Sequence, residues 1–105
     1  MLSIEDVGGI TRSIRAAANK YMIKIYLLNC VYFAYLYNGK DESKYINRFV
    51  LSFSVSPVSI YNNTALLVKF NLIEKVSSDT YLLTDFSKDV CRFIDESILK
   101  TKTLH

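Results

Sequence analysis

The stretch Val55–Thr84, VSPVSIYNNTALLVKFNLIEKVSSDTYLLT, decides the fold because its hydrophobic period changes partway along. Up to Phe70 the spacing is helical, and Ile60, Thr64, Leu67 and Phe70 fall along one stripe. Ser56-Pro57 marks the start of this helix. The serine caps it, and proline takes the first helical position, where its missing N–H costs nothing. Asn71 ends it, since asparagine follows glycine as the residue best able to adopt the left-handed conformation. From Leu72 the period becomes two. Residues 72–76 read as a strand, Ser77-Ser78-Asp79 as a turn, and 80–84 as the returning strand.

On the N-terminal side, Asp41 is placed to cap a short helix from Glu42 to about Leu51, with Tyr45, Ile46, Phe49 and Val50 on one face. Residues 52–55 then form a turn, so residues 42–71 read as a helix-turn-helix. Residues 11–37 read as one helix, capped at Thr11, bent near Asn19 and closed at Asn38-Gly39. Residues 1–10 read as a lead-in broken by Gly8-Gly9. On the C-terminal side, Thr84 or Asp85 caps a last helix over 85–101, with Phe86, Val90, Phe93, Ile94, Ile98 and Leu99 facing inward. Residues 101–105 read as a frayed tail. The fold class is mainly α with a small β-hairpin (α+β), in a single domain over residues 1–105.

The ordered series V-S-P, a helix, N-L-I-E-K-V, a hairpin and L-T plus a helix resembles the winged-helix DNA-binding family, in the broad sense that includes MarR-like and ArsR-like regulators. The resemblance covers residues 40–100 and departs from the usual pattern at Asn71, where glycine is common. It implies a winged helix-turn-helix with residues 72–84 as the wing, in a homodimer bound to double-stranded DNA. The helix from Ser56 would be the recognition helix, its N-terminal end in the major groove. Ser54, Ser56, Pro57, Ser59, Tyr61, Asn62 and Asn63 are then the candidate base and groove contacts. Asparagine can pair bidentately with adenine, and proline can pack on a thymine methyl.

That helix has one cation, Lys69, near its far end, so phosphate contacts are expected from elsewhere. Lys40, Lys44 and Arg48 around the short helix, Arg12 and Arg15 on the first helix, and Lys75, Ser77 and Ser78 on the wing are the candidates. A looser resemblance is to the TubR-like centromere-binding adaptors of tubulin-like plasmid and phage partition systems, clearest in Tyr81–Phe86 and Val90-Cys91 with Phe93. It implies dimers on repeated DNA sites and a tubulin-like filament-forming GTPase as partner. A plain transcriptional repressor is the equal alternative. A winged-helix module that binds protein without DNA is the rival from another class, favoured by the weak charge of the helix and wing.

Composition agrees with a small globular protein and sets limits on function. Thirteen Lys and Arg against ten Asp and Glu give a net charge of +3, which permits nucleic-acid binding without demanding it. Eight Tyr and six Phe in 105 residues exceed what one small core hides, so some are expected at a subunit interface. Residues 21–37 are apolar nearly all round but contain Lys24 and Asn29, which favours a buried helix over a membrane span. A partner copy is expected to cover its second face through Met22, Ile25, Tyr26, Phe33 and Tyr37, together with the last helix.

Cys30 and Cys91 read as buried thiols in a reducing cytoplasm. No cofactor or metal is expected, nor enzymatic activity. His105 is the only histidine, and no nucleophile–base pair or phosphate loop is visible. The adjacent Asp95 and Glu96 read as solvated surface.

Overall fold

A computed structural model describes residues 4–41, 43–51 and 60–103. In chain order the elements are α1 (Ile4–Tyr21), α2 (Ile25–Tyr37), β1 (Ile46–Asn47), α3 (Arg48–Leu51), α4 (Ile60–Lys69), β2 (Ile73–Ser77), β3 (Thr80–Leu83) and α5 (Asp85–Thr103). The protein is mostly helical with a small antiparallel sheet in the order β1-β3-β2.

Three helices end in the same way. The residue two past the last turn donates its N–H back five residues, and the residue between adopts the left-handed conformation. At α4, Leu72 donates to Leu67 and Asn71 to Val68, with Asn71 at φ 61°. At α2, Lys40 donates to Tyr35 and Gly39 to Leu36, with Gly39 at φ 65°. These are the two ends that the sequence marks with Asn and Gly.

The third case corrects the expectation of one helix over residues 11–37. Met22 sits at φ 56°, Ile23 donates to Ala18 at 3.1 Å, and the chain turns before α2 begins. The break falls at Met22–Lys24, beyond the bend expected near Asn19. Methionine carries no such signal, because an L side chain in this region is disfavoured by about 1–2 kcal/mol. Packing decides: α1 lies along α5, while α2 crosses into the core.

The lead-in is also helical. α1 runs from Ile4 through Gly8-Gly9, and Thr11 lies within it. Burial of Ile14, Ala17 and Ala18 outweighs the roughly 1 kcal/mol that each glycine costs in a helix. At its far end Tyr21 meets Phe86 and Phe93 edge to face at centroid distances of 5.6 and 5.8 Å, with Lys20 Nζ 4.4 Å from the Phe93 ring centre.

In place of the expected short helix, residues 43–51 form a turn, a strand and one helical turn, with Glu42 itself outside the described residues. Asp41 accepts from the backbone N–H and the hydroxyl of Ser43, which closes a local turn and holds its carboxyl below the usual carboxylate range. Ile46 pairs with Tyr81 across β1 and β3, and its side chain is buried. Asn47 then caps α3, its side-chain oxygen accepting from Val50 N at 3.0 Å.

Thr84 caps α5 by accepting from Ser87 N at 3.2 Å, and its hydroxyl donates to Asn71 O at 2.5 Å. Ser87 donates from Oγ to Leu72 O, so α5 grips the start of β2. Val90, Cys91 and Ile94 of α5 join Leu27, Leu28, Val31, Leu67, Leu72 and Tyr81 in the core. Cys30 and Cys91 are both buried and are not joined in a disulfide. Leu99, expected to face inward, is exposed at 65%.

Asp95 is the second correction on α5. It is a shared acceptor: Tyr32 Oη donates to Oδ1 at 2.7 Å, Tyr35 Oη donates to Oδ2 at 3.1 Å, and Lys40 Nζ lies 3.2 Å from Oδ2. Both tyrosines are buried for most of their surface, so the carboxylate satisfies two hydroxyls with little access to water. Burial and the donated hydrogen bond push the Tyr32 phenol well above its ordinary value.

Candidate nucleic-acid interface

The candidate surface combines α4, the β2–β3 hairpin and the residues that brace it. α4 buries Asn63, Thr64 and Leu67 and leaves Ala65, Val68 and Lys69 exposed. Asn63, expected on the outer face as a base contact, is 9% exposed and lies on the covered side. Its burial follows from its place one position before Thr64 and four before Leu67. Tyr61 and Asn62 lie in the first turn of α4. Ser54, Ser56, Pro57 and Ser59 lie outside the described residues.

The hairpin pairs Ile73 with Leu83, Glu74 with Leu82 and Lys75 with Tyr81. A register shift between Lys75 and Ser77 then lets Ser77 oppose Thr80. The shift bends the strand and leaves Val76 exposed. Lys75, Ser77 and Ser78 are all solvent-facing, so three of the expected contacts share one exposed wing.

Arg48 joins that wing from α3. Its Nη2 donates to Ser78 O at 3.4 Å and to Tyr81 Oη at 3.5 Å, and its Nε lies 3.8 Å from Asp79 Oδ1. Arg48 therefore ties α3 to the wing tip, with 28% of its side chain exposed. Asp79 and Tyr81 are additions to the expected site residues. Nothing in the sequence links a tip acid to an arginine 31 positions away, because the link depends on β1 pairing with β3.

The other candidate cations are dispersed. Lys40 is paired with Asp95 and half exposed, so its first partner is within the protein. Lys44 is exposed in the turn before β1. Arg12 and Arg15 are exposed on α1, which packs mainly on α5 and α2.

The expected interface residues form a coherent face. Met22 is 92% exposed, Ile25 and Tyr26 45%, Phe33 41% and Tyr37 59%. Leu36 belongs with them at 40% exposure; its spacing of three from Phe33 is the available signal. The opposite side of α2, from Leu27 to Tyr35, is buried in the core. No helix among the described residues is long and apolar enough to cross a membrane.

Comparisons with known families, curated proteins and solved structures find no match.

Proposed function

We propose that the chain binds double-stranded DNA as a winged helix-turn-helix, working as a pair of copies joined through α2. The supporting observation is the unit formed by α4 and the hairpin after it. The backbone just past α4 reaches Leu72, whose carbonyl Ser87 of α5 holds, and the wing carries Lys75, Ser77 and Ser78 outward with Arg48 across its tip. A helix set beside a braced, polar ribbon suits a major groove flanked by phosphates. In this reading the first turn of α4, with Tyr61 and Asn62, meets base edges. Lys44, Lys75 and Arg48 meet phosphate, and Arg12 and Arg15 are available to flanking DNA.

Paired half-sites about one helical turn apart supply affinity that a single small module lacks. The protein then acts in the cytoplasm in one of two roles. It links repeated DNA sites to a tubulin-like filament-forming GTPase, or it represses transcription. Stepwise loading on repeated sites distinguishes the first role from the second.

One observation favours a second reading, a protein-binding module: Asp79 and Asp95 engage Arg48 and Lys40, which lowers the free positive charge. Salt separates the two readings, since each phosphate contact adds about 0.9 to the slope of log affinity against log salt. Lys75→Ala is expected to reduce that slope by about one on any duplex. A slope near zero in the native protein would leave only the protein-binding reading.

A further inference from the structure

The exposed side of α2 is one apolar stripe with a single polar break. At 100° per residue, Ile25, Tyr26, Asn29, Phe33, Leu36 and Tyr37 fall within an arc of about 120°, and every other residue of α2 is buried. Met22, in the break just before α2, is 92% exposed. Asn29 carries the only amide side chain on it, and it lies about midway in sequence between Met22 and Tyr37. No charged residue occurs between Lys24 and Lys40.

We infer that two copies of this chain pair through α2 in antiparallel orientation, with Asn29 on the twofold axis. The inference rests on the proposed pairing and specifies its geometry. In this register each Asn29 amide meets its own copy, where one donates and the other accepts, so no amide is buried against an apolar side chain. Tyr26 faces the partner's Phe33, and Met22 faces the partner's Leu36 and Tyr37. A parallel pair would also match Asn29 with itself. It would, however, align the helix dipoles and bring the two Lys24 side chains together.

The antiparallel arrangement uses a second feature. A groove of about 420 Å³ opens at the N-terminal end of α2, lined by Met22, Ile23, Leu27 and Phe70 with the Lys24 side chain among them. Only an antiparallel partner carries the ring of its Tyr37, at the far end of its own α2, to this groove. Phe70 follows directly on α4, so the occupant of the groove also bears on the helix assigned to DNA.

The area suffices. Aromatic side chains present roughly 150–250 Å² each, so six large apolar residues at the observed exposures offer about 600 Å² per copy. The total of about 1,200 Å² passes the roughly 1,000 Å² that a specific interface needs. The uncharged face suits a second copy, because two identical surfaces with net charge would repel.

Cysteine cross-linking tests the register, since a residue on a twofold axis meets its own copy within disulfide reach. The native Cys30 and Cys91 are buried and provide a silent background. Under mild oxidation Asn29→Cys is expected to give a covalent dimer. Met22→Cys alone should give none, and Met22→Cys with Tyr37→Cys should link position 22 of one copy to position 37 of the other. A disulfide joining position 22 of both copies in the single variant would overturn the antiparallel register. A dimeric mass with no cross-link in the Asn29→Cys variant would overturn the axis while leaving pairing intact. A mass of one chain in light scattering at micromolar concentration would remove the pairing itself. DNA binding enters none of these readouts.

Discussion

Asp95→Ala tests how far the core depends on one partly exposed carboxylate. The side chain accepts from two buried tyrosine hydroxyls and lies 3.2 Å from Lys40 Nζ. Removing it leaves the Tyr32 and Tyr35 hydroxyls without this acceptor in a largely buried region. A hydrogen bond to a charged group contributes about 1.5–3 kcal/mol, and a buried donor left unsatisfied costs about 1–3 kcal/mol. Asp95 is 24% exposed, so water can enter the vacated space and recover part of that loss. Lys40 adds little, as an exposed ion pair contributes about 0–1 kcal/mol. The expected cost is about 3 kcal/mol. Tyr32→Phe, which removes donor and demand together, should cost only about 1 kcal/mol. Urea unfolding at 25 °C followed by circular dichroism reads both, from the midpoint at unchanged slope. If Asp95→Ala lies within about 0.5 kcal/mol of the native protein, Asp95 is the ordinary surface acid its sequence context suggests.

Alkaline pH probes the same cluster. The Tyr32 phenol is raised above its ordinary value of 10.0, so the folded protein keeps the proton when the unfolded chain loses it. Its contribution is complete below pH 10 and is lost as pH rises above it. Unfolding curves between about pH 9 and 11 should therefore show a steeper loss of stability in the native protein than in Tyr32→Phe. Asn71→Ala places a residue less suited to the left-handed region at φ 61° and should cost about 1 kcal/mol, while Asn71→Gly should be close to neutral. Thermal melts distinguish the two. Asp79→Asn releases Arg48 from its carboxylate and should tighten binding to duplexes of any sequence. In an Arg48→Ala background the same change should have a smaller effect, and an equal effect in both backgrounds would make Asp79 a general repulsive charge only.

Legibility in the sequence follows local geometry. The ends of α2 and α4 can be read because Gly39 and Asn71 occupy positive φ, where few other residues are comfortable. The hairpin can be read from its period, and the cap of α5 from Thr84. The break after α1 cannot, because Met22 adopts the same conformation for reasons of packing between α1, α2 and α5. β1 escapes the pattern because a two-residue strand has no period, and Ile46 is fixed by pairing with Tyr81, 35 positions away. The exposed face of α2 is legible because a helix apolar all round cannot bury every side within one small chain. Asn63 misleads because polarity says nothing of burial when the helix orientation is unknown. Asp95 misleads because its partners, Tyr32 and Tyr35, come from α2 and not from its own helix.

The most direct test of the central claim is binding of the purified protein to duplex DNA from just upstream of its own coding sequence. Random DNA of equal length is the reference, at two salt concentrations. The account predicts tighter binding to the upstream sequence and a clear loss of affinity on both duplexes as salt rises. Equal binding to the two duplexes, or no binding at either salt, would contradict it.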